Sequence, residues 1–110
     1  MKARKESPID LLGSFEEQIM LAVVRTSDQA HGMQVRREVE SVTGRSTSIG
    51  SVYATLDRLE AKALVTSTRV GAAAASRRVF QLTAAGERSL AETRAVRDRL
   101  WAGVTLRPRH

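Results

Sequence analysis

The stretch Ser48–Lys62 (SIGSVYATLDRLEAK) constrains the fold of this chain more than any other part of its sequence. Read at about 100° per residue, the helical period, it separates into two faces. The stretch predicts a helix that packs one side on a core and leaves a slim polar side free, although an ordinary amphipathic surface helix is the simpler alternative. The predicted apolar face holds Ile49, Val52, Tyr53, Leu56, Leu59 and Ala63, and the polar face holds Ser51, Thr55, Arg58 and Lys62.

A second predicted helix precedes this one and is joined to it by a short turn. It spans about Gly32–Val42, carries a narrow valine stripe, and is followed by Gly44, a residue suited to a helix C-terminus. Ser48 is placed to cap the next helix after the turn Arg45-Ser46-Thr47. Two helices joined in this way, the second with a face that fits the major groove of DNA, predict a helix-turn-helix.

The first predicted helix begins at a capping box, with Ser14 as the cap and Glu17 reaching back, and runs to about Arg25. Its run Ile19–Val24 is apolar all round, so we expect it to be covered on more than one side. One side faces the domain itself and the other faces a second chain. A buried strand is the competing interpretation of this run.

The remaining sequence predicts a β-hairpin, called the wing, and a long last helix. Leu64–Val70 and Arg77–Thr83 have strand character, and between them lies GAAAAS, which is either the hairpin tip or a short helical segment of alanines. Thr83 is placed to cap a helix that runs to about Ala102. The predicted fold is therefore mainly α: a tail (1–10), a winged helix-turn-helix (11–83), a dimerisation helix (84–104) and a second tail (105–110).

Composition narrows the class of partner. The chain has 110 residues, enough for one small domain, and its net charge of +6 favours a polyanion. It contains no cysteine, so disulfides, a thiolate zinc site and a cysteine nucleophile are excluded. No apolar run approaches the roughly 18 residues that span a membrane, and MKARKE leads into no signal core, so we expect a cytoplasmic location.

Catalytic motifs are not found. The sequence has no phosphate-cradling glycine loop, nucleophile elbow or metal-ligand spacing, and it has two histidines, one of them terminal. We therefore expect no enzyme activity, no cofactor and no metal site.

The order of these segments resembles the PadR family of bacterial transcriptional regulators from about Leu11 to Val104. The most specific parts are Gly50-Ser51-Val52-Tyr53 with Leu56, Leu59 and Glu60, and Leu82-Thr83 with Gly86. The resemblance implies a homodimer in which the last helix packs against the partner's first and last helices. It also implies operator binding, usually repression, and in some members relief by small aromatic ligands or stress signals. His31, the GAAAAS tip and Val79-Phe80 depart from the family pattern.

The residues predicted to contact DNA come from three segments. The resemblance assigns Ser51, Tyr53 and Thr55 on the third helix and Arg77 and Arg78 on the wing. The full predicted set is Gln34, Arg37, Arg45, Ser48, Ser51, Tyr53, Thr55, Arg58, Arg69, Arg77 and Arg78. A solvated face is the alternative for the third helix, a plain core ring is the alternative for Tyr53, and pairing with Glu38 or Glu40 is the alternative for Arg37.

The predicted dimer interface consists of Phe15, Ile19, Met20, Val24, Leu90, Val96, Arg97, Leu100, Trp101 and Val104. Arg97 is expected to pair across the dimer with Glu16 or Glu17, and Trp101 to anchor the interface or bind a small aromatic ligand. The sequence thus predicts a dimeric, DNA-binding repressor that reads a pseudo-palindromic operator. The alternative function is a winged helix that contacts proteins and not DNA.

Overall fold

Four α-helices and one β-hairpin form the part of the chain, residues 11–108, that the computed structural model describes. The predicted tail 1–10 and the last two residues of the predicted tail 105–110 lie outside the described residues. The architecture is the predicted winged helix-turn-helix followed by a long helix. Its elements are α1 (Ser14–Thr26), α2 (Gly32–Thr43), α3 (Ile49–Ala61), β1 (Val65–Val70), β2 (Arg77–Leu82) and α4 (Ala84–Trp101).

Local hydrogen bonds set the ends of the helices. Ser48 Oγ accepts from the backbone N–H of Ser51 at 3.0 Å, and Thr83 Oγ1 accepts from that of Gly86 at 3.0 Å. Gly44 ends α2 in the left-handed conformation, with φ of 72°. These three predicted caps are confirmed.

The predicted capping box at the start of α1 is wrong by one residue. The N-cap is Gly13, whose N–H donates to Glu16 Oε1 at 3.2 Å. Glu17 does not reach back to the cap because its carboxylate accepts two hydrogen bonds from Arg97 Nη1, each of 2.6 Å.

The core lies between α1, α2, α3 and the inner face of the wing. Ile19 and Met20 are both 0% exposed within it, so their predicted place at a dimer interface is wrong. Packing decides which side of the apolar run in α1 faces the core: residues 19, 20, 22 and 23 are buried, and Leu21 and Val24 are exposed. The largest fully buried side chains are Phe80, Ile19, Met20, Leu56, Leu59, Val35, Val52 and Val65.

The wing is an antiparallel pair whose register places Val65 opposite Leu82 and Val70 opposite Arg77. Its exposed tip contains a single 3-10 turn, Ala73–Ala75, so a hairpin and a short alanine turn are both present. The backbone N–H of Phe80 also donates to the carbonyl of Ala30 at 2.9 Å. This bond holds the segment before α2 alongside β2.

The helix α4 is attached to the body near its start and is uncovered at its end. Gly86 packs on the backbone of Leu64: a Cβ at Gly86 would lie 2.0 Å from the Leu64 carbonyl oxygen. Further along, Thr93 Oγ1 accepts from the N–H of Leu12 at 3.2 Å. Leu100 is 73% exposed and Trp101 is 54% exposed. Among residues 11–108, no helix is both long and apolar enough to cross a membrane.

Candidate nucleic-acid interface

A cleft of about 770 Å³ lies between the start of α2, Tyr53 of α3 and the outer part of the wing. We call it the arginine cleft. It forms because the bond between Phe80 and Ala30 brings the residue after Ala30, His31, beside Arg77. No carboxylate lines it, and its lining residues are Gln29, His31, Met33, Gln34, Arg37, Tyr53, Arg69, Ser76, Arg77 and Arg78.

Three arginines of this cleft carry charges that no carboxylate of residues 11–108 neutralises. Arg37 donates to Gln34 Oε1 at 3.3 Å, Arg69 donates to Ser76 Oγ at 3.4 Å, and Arg77 contacts His31. The alternative pairing of Arg37 with Glu38 or Glu40 is wrong. Those carboxylates are already occupied by other arginines: Glu38 by Arg25 and Glu40 by Arg36.

His31 fixes the position of Arg77. Its Nε2 lies 2.9 Å from Arg77 Nη1, and because the guanidinium has only donors, the ring nitrogen accepts. Burial lowers the pKa of His31, and the charges of Arg77 and Arg37 lower it further. The imidazole is therefore neutral at pH 7, and it holds a cation at the cleft wall.

Tyr53 closes one side of the arginine cleft by packing on α2. A Cβ at Gly32 would lie 2.3 Å from Cζ of Tyr53 and 2.4 Å from its hydroxyl oxygen, so a side chain at position 32 would displace this ring from its place on α2. The Tyr53 side chain is 38% exposed and lines the cleft. Its ring therefore packs on α2 while part of the side chain faces solvent.

The solvent face of α3 continues this surface. Gly50, Ser51, Ala54 and Arg58 are exposed on it, and Ser48 Oγ donates to Ser51 Oγ at 2.8 Å. The face is slim because two of the four residues have a side chain no larger than a methyl group. Arg58 is not wholly free, since its Nε lies 3.7 Å from Glu16 Oε2.

Thr55 does not belong to this face, so its prediction as an exposed contact is wrong. It is 3% exposed and lies on the buried stripe of α3 with Val52, Leu56 and Leu59. Burial is tolerated because Thr55 Oγ1 accepts from Arg58 Nη2 at 3.3 Å. Through this hydrogen bond, Thr55 orients the Arg58 side chain.

Arg78 differs from the other wing arginines. Its Nη2 lies 2.7 Å from Glu60 Oε1 and 3.0 Å from Asp57 Oδ1, both on α3, and its guanidinium lies 4.8 Å from the centre of the Phe80 ring. Partial burial opposes its charge, but the hydrogen bonds to the two carboxylates raise the pKa of Arg78 overall. The prediction treated Arg78 as a free cation for DNA, whereas its charge is neutralised within the chain.

The model of the transcriptional regulator PadR-like family matches residues 20–92, more than half of the chain. The chain belongs to the PadR-like family of transcriptional regulators. No curated protein matches it.

Several solved structures have the same fold, and two of them are PadR-like regulators. A PadR-like transcription factor from Bacteroides fragilis is 24% identical, with a TM-score of 0.69 over 78% of this chain and 82% of that chain. A PadR-like regulator from Bacillus cereus is 19% identical, with a TM-score of 0.65 over 80% and 84%. RosR from H. salinarum is 19% identical, with a TM-score of 0.70 over 89% and 84%.

Exposed large apolar side chains of this PadR-like chain lie on α1 and at or just after the end of α4. Of the residues predicted for a dimer interface, Val24, Leu100, Trp101 and Val104 are exposed, whereas Phe15, Leu90 and Val96 are half-buried. Leu21 is also exposed on α1 and was missed, although the all-apolar run of α1 contained the signal. We call Leu21, Val24, Leu100, Trp101 and Val104 the apolar surface.

Two predictions about this region are wrong or unsupported. Arg97 pairs with Glu17 of its own chain at 2.6 Å, because α4 packs directly beside α1, and the predicted pair across a dimer is replaced by this one. The ligand predicted near Trp101 finds no support, because a ring that is 54% exposed is not enclosed by this chain.

Some lining residues of the arginine cleft carried no signal in the sequence. Gln29 and Met33 come from the segment around the start of α2, and Ser76 comes from the wing tip. Only the packing of β2 against Ala30 brings these segments together. Arg45, which was predicted for DNA, is exposed on the turn between α2 and α3.

Proposed function

We propose that this chain is a sequence-specific, DNA-binding transcriptional repressor that acts as a homodimer and has no catalytic role. The observation that carries the proposal is the arginine cleft. Arg37, Arg69 and Arg77 converge there with no carboxylate in the lining, on the same side of the molecule as Tyr53 of α3. A phosphate backbone supplies the negative charge that such a cluster lacks.

The two parts of this surface have different roles in the proposal. The arginines of the cleft contact phosphates and set the position of the protein on the duplex. The face of α3 reads base edges: Ser51 offers a hydroxyl, and Arg58 offers a guanidinium suited to guanine. Gly50 and Ala54 let the helix backbone approach the floor of the groove.

Dimerisation is supported by the apolar surface. Trp101 and Leu100 are more than half exposed at the end of α4, and Leu21 and Val24 are exposed on α1. Exposed large apolar side chains of this kind are typical of an interaction site. To read half-sites of a pseudo-palindrome one helical turn apart, the two α3 helices of such a dimer must lie about 34–36 Å apart.

The test is binding of fluorescently labelled DNA from beside the gene, with a shuffled duplex as competitor, measured by anisotropy from 50 to 200 mM salt. Three phosphate contacts per protomer give about six per dimer, a slope of log K against log salt near −5, and a loss of about 10³-fold in affinity. Two results refute the proposal. One is tight binding whose affinity does not change with salt; the other is no binding to any duplex by a chain that instead binds a protein partner.

Matched variants locate the site. Arg37→Gln removes a cleft cation that has no carboxylate partner, and we expect it to reduce the slope by about 2 for a dimer. Arg25→Gln removes a cation that pairs with Glu38 and does not line the cleft. We expect Arg25→Gln to leave the slope unchanged, and equal effects of the two variants contradict the assignment.

A further inference from the structure

The cluster that joins the wing to α3 has a feature that DNA contact does not explain. Glu60 accepts from Arg78 Nη2 of β2 at 2.7 Å through Oε1, and from Ser67 Oγ of β1 at 2.9 Å through Oε2. Asp57, one helical turn earlier, lies 3.0 Å from Arg78 through Oδ1. Both strands of the wing are therefore bonded to the same side of α3.

This cluster is the outermost attachment of the wing that the structure describes between β2 and α3. Below it, Val65 and Phe80 are buried in the core and fix the base of the wing. Above it, Val70 and Arg77 are exposed, and so is most of the tip. The outer wing is therefore bonded directly to α3 through Arg78, while the contact of Arg77 with His31 attaches it to the start of α2.

The register of the hairpin brings two positive charges together, and this cluster neutralises one of them. Arg69 and Arg78 lie opposite each other across the two strands, so two guanidinium groups share one face of the wing. Like charges directly opposite destabilise a strand pair. Asp57 and Glu60 neutralise Arg78, and this leaves the charge of Arg69 available to the arginine cleft.

We propose that Arg78, held by Asp57 and Glu60, is a positioning residue that fixes the angle between the wing and α3. This inference rests on the proposed DNA-binding function. At the right angle, the wing arginines reach phosphates while α3 lies in the groove. Arg78 then contributes to the preference for the operator over other DNA, and it does so without neutralising a phosphate.

The first test compares Arg78→Gln with Arg77→Gln, its neighbour on the same strand. For Arg78→Gln we expect affinity for the operator to fall about tenfold, while affinity for shuffled DNA falls much less, because the wing and α3 no longer fit the operator together. For Arg77→Gln we expect the slope to weaken by about 2 per dimer, with operator and shuffled DNA losing affinity alike. Equal losses of affinity for operator and shuffled DNA in Arg78→Gln overturn the proposal, because Arg78 then behaves as a phosphate contact like Arg77.

The second test needs no DNA. The chain has no cysteine, so Ala54→Cys on α3 and Ala74→Cys at the wing tip, both exposed, accept spin labels at chosen sites. We expect pulsed electron spin resonance, on labelled protein diluted with unlabelled protein, to give one narrow distance distribution. Arg78→Gln and Glu60→Gln both broaden it, and Arg69→Gln, which removes an arginine whose hydrogen bond to Ser76 stays within the wing, leaves it narrow.

The two tests separate the two proposals. If the unchanged chain binds no DNA while Arg78→Gln broadens the label distribution, the repressor function fails and the positioning of the wing stands. If both Arg78→Gln and Glu60→Gln keep the narrow distribution, the positioning role fails, whatever the DNA measurements show. Glu60→Gln retains an acceptor for Ser67, so the second variant removes charge without deleting that bond.

Discussion

The contact between Gly86 and Leu64 gives the sharpest stability prediction. We expect Gly86→Ala to destabilise the chain, although alanine is the better residue for a helix. The added Cβ would lie 2.0 Å from the carbonyl oxygen of Leu64, 3.0 Å from its carbonyl carbon and 3.2 Å from Cε of Met20. The Met20 side chain can turn away, but the Leu64 backbone is held by the N–H of Thr83, which donates to the same oxygen at 3.1 Å.

The magnitude follows from the two opposing effects. Relieving the overlap requires α4 and the start of β1 to separate by about 1 Å, and overpacking of this kind costs about 1–3 kcal/mol. Replacing glycine by alanine in a helix returns about 0.5–1 kcal/mol. The net loss of about 1–2 kcal/mol corresponds to a decrease of about 5–15 °C in the midpoint of thermal unfolding for a chain of this size.

The assay is thermal and urea unfolding followed by circular dichroism at one fixed protein concentration. Gly50→Ala is the matched control, since Gly50 also lies in the first turn of a helix and nothing would meet its Cβ within 4 Å. We expect Gly50→Ala to raise stability by up to about 1 kcal/mol. A Gly86→Ala chain as stable as Gly50→Ala refutes the reasoning about how α4 is seated.

Three further predictions concern dimerisation, pH and an internal ion pair. Trp101 is 54% exposed, so we expect Trp101→Glu to place a charge in the proposed interface and to give a folded monomer by sedimentation velocity. If the variant and the unchanged chain have the same mass in solution, the apolar surface is not the interface. The pKa of His31 is lowered in the folded chain, so below the usual value near 6.5 the unfolded chain binds the proton more readily and stability decreases as pH falls. In urea unfolding from pH 7 to pH 5, His31→Gln should lose less stability than the unchanged chain, and parallel curves argue against a neutral His31. Because Arg97 pairs with Glu17 in its own chain, Arg97→Gln should leave the dissociation constant of the dimer unchanged. If the variant dissociates into monomers, Arg97 pairs with the other subunit instead.

Much of the fold was predictable because its signals are local. The caps at Ser48, Gly44 and Thr83 depend on bonds that close within three or four residues, so the residue type alone indicates them. The apolar stripes of α3 and the strand character of the wing are equally short-range. The order of the elements then leaves few architectures to choose from.

The errors fall where tertiary packing decides. The run Ile19–Val24 is apolar on every side of the helix, so the sequence does not show which side faces the core. The position of the core decides that Ile19 and Met20 are buried. Thr55 lies at the edge of the α3 stripe, where a small hydroxyl is buried once Arg58 satisfies it. The partner of Arg78 depends on how β2 lies on α3, which no spacing along the chain specifies.

The contact between Gly32 and Tyr53 has a consequence for the evolution of this fold. A side chain at position 32 would overlap the ring at position 53 where it now lies, so a change at the first site requires the ring at the second to turn away or become smaller. Homologous chains that acquire a bulkier residue at the first site should carry a smaller one at the second, and aligned sequences should show the two columns covarying.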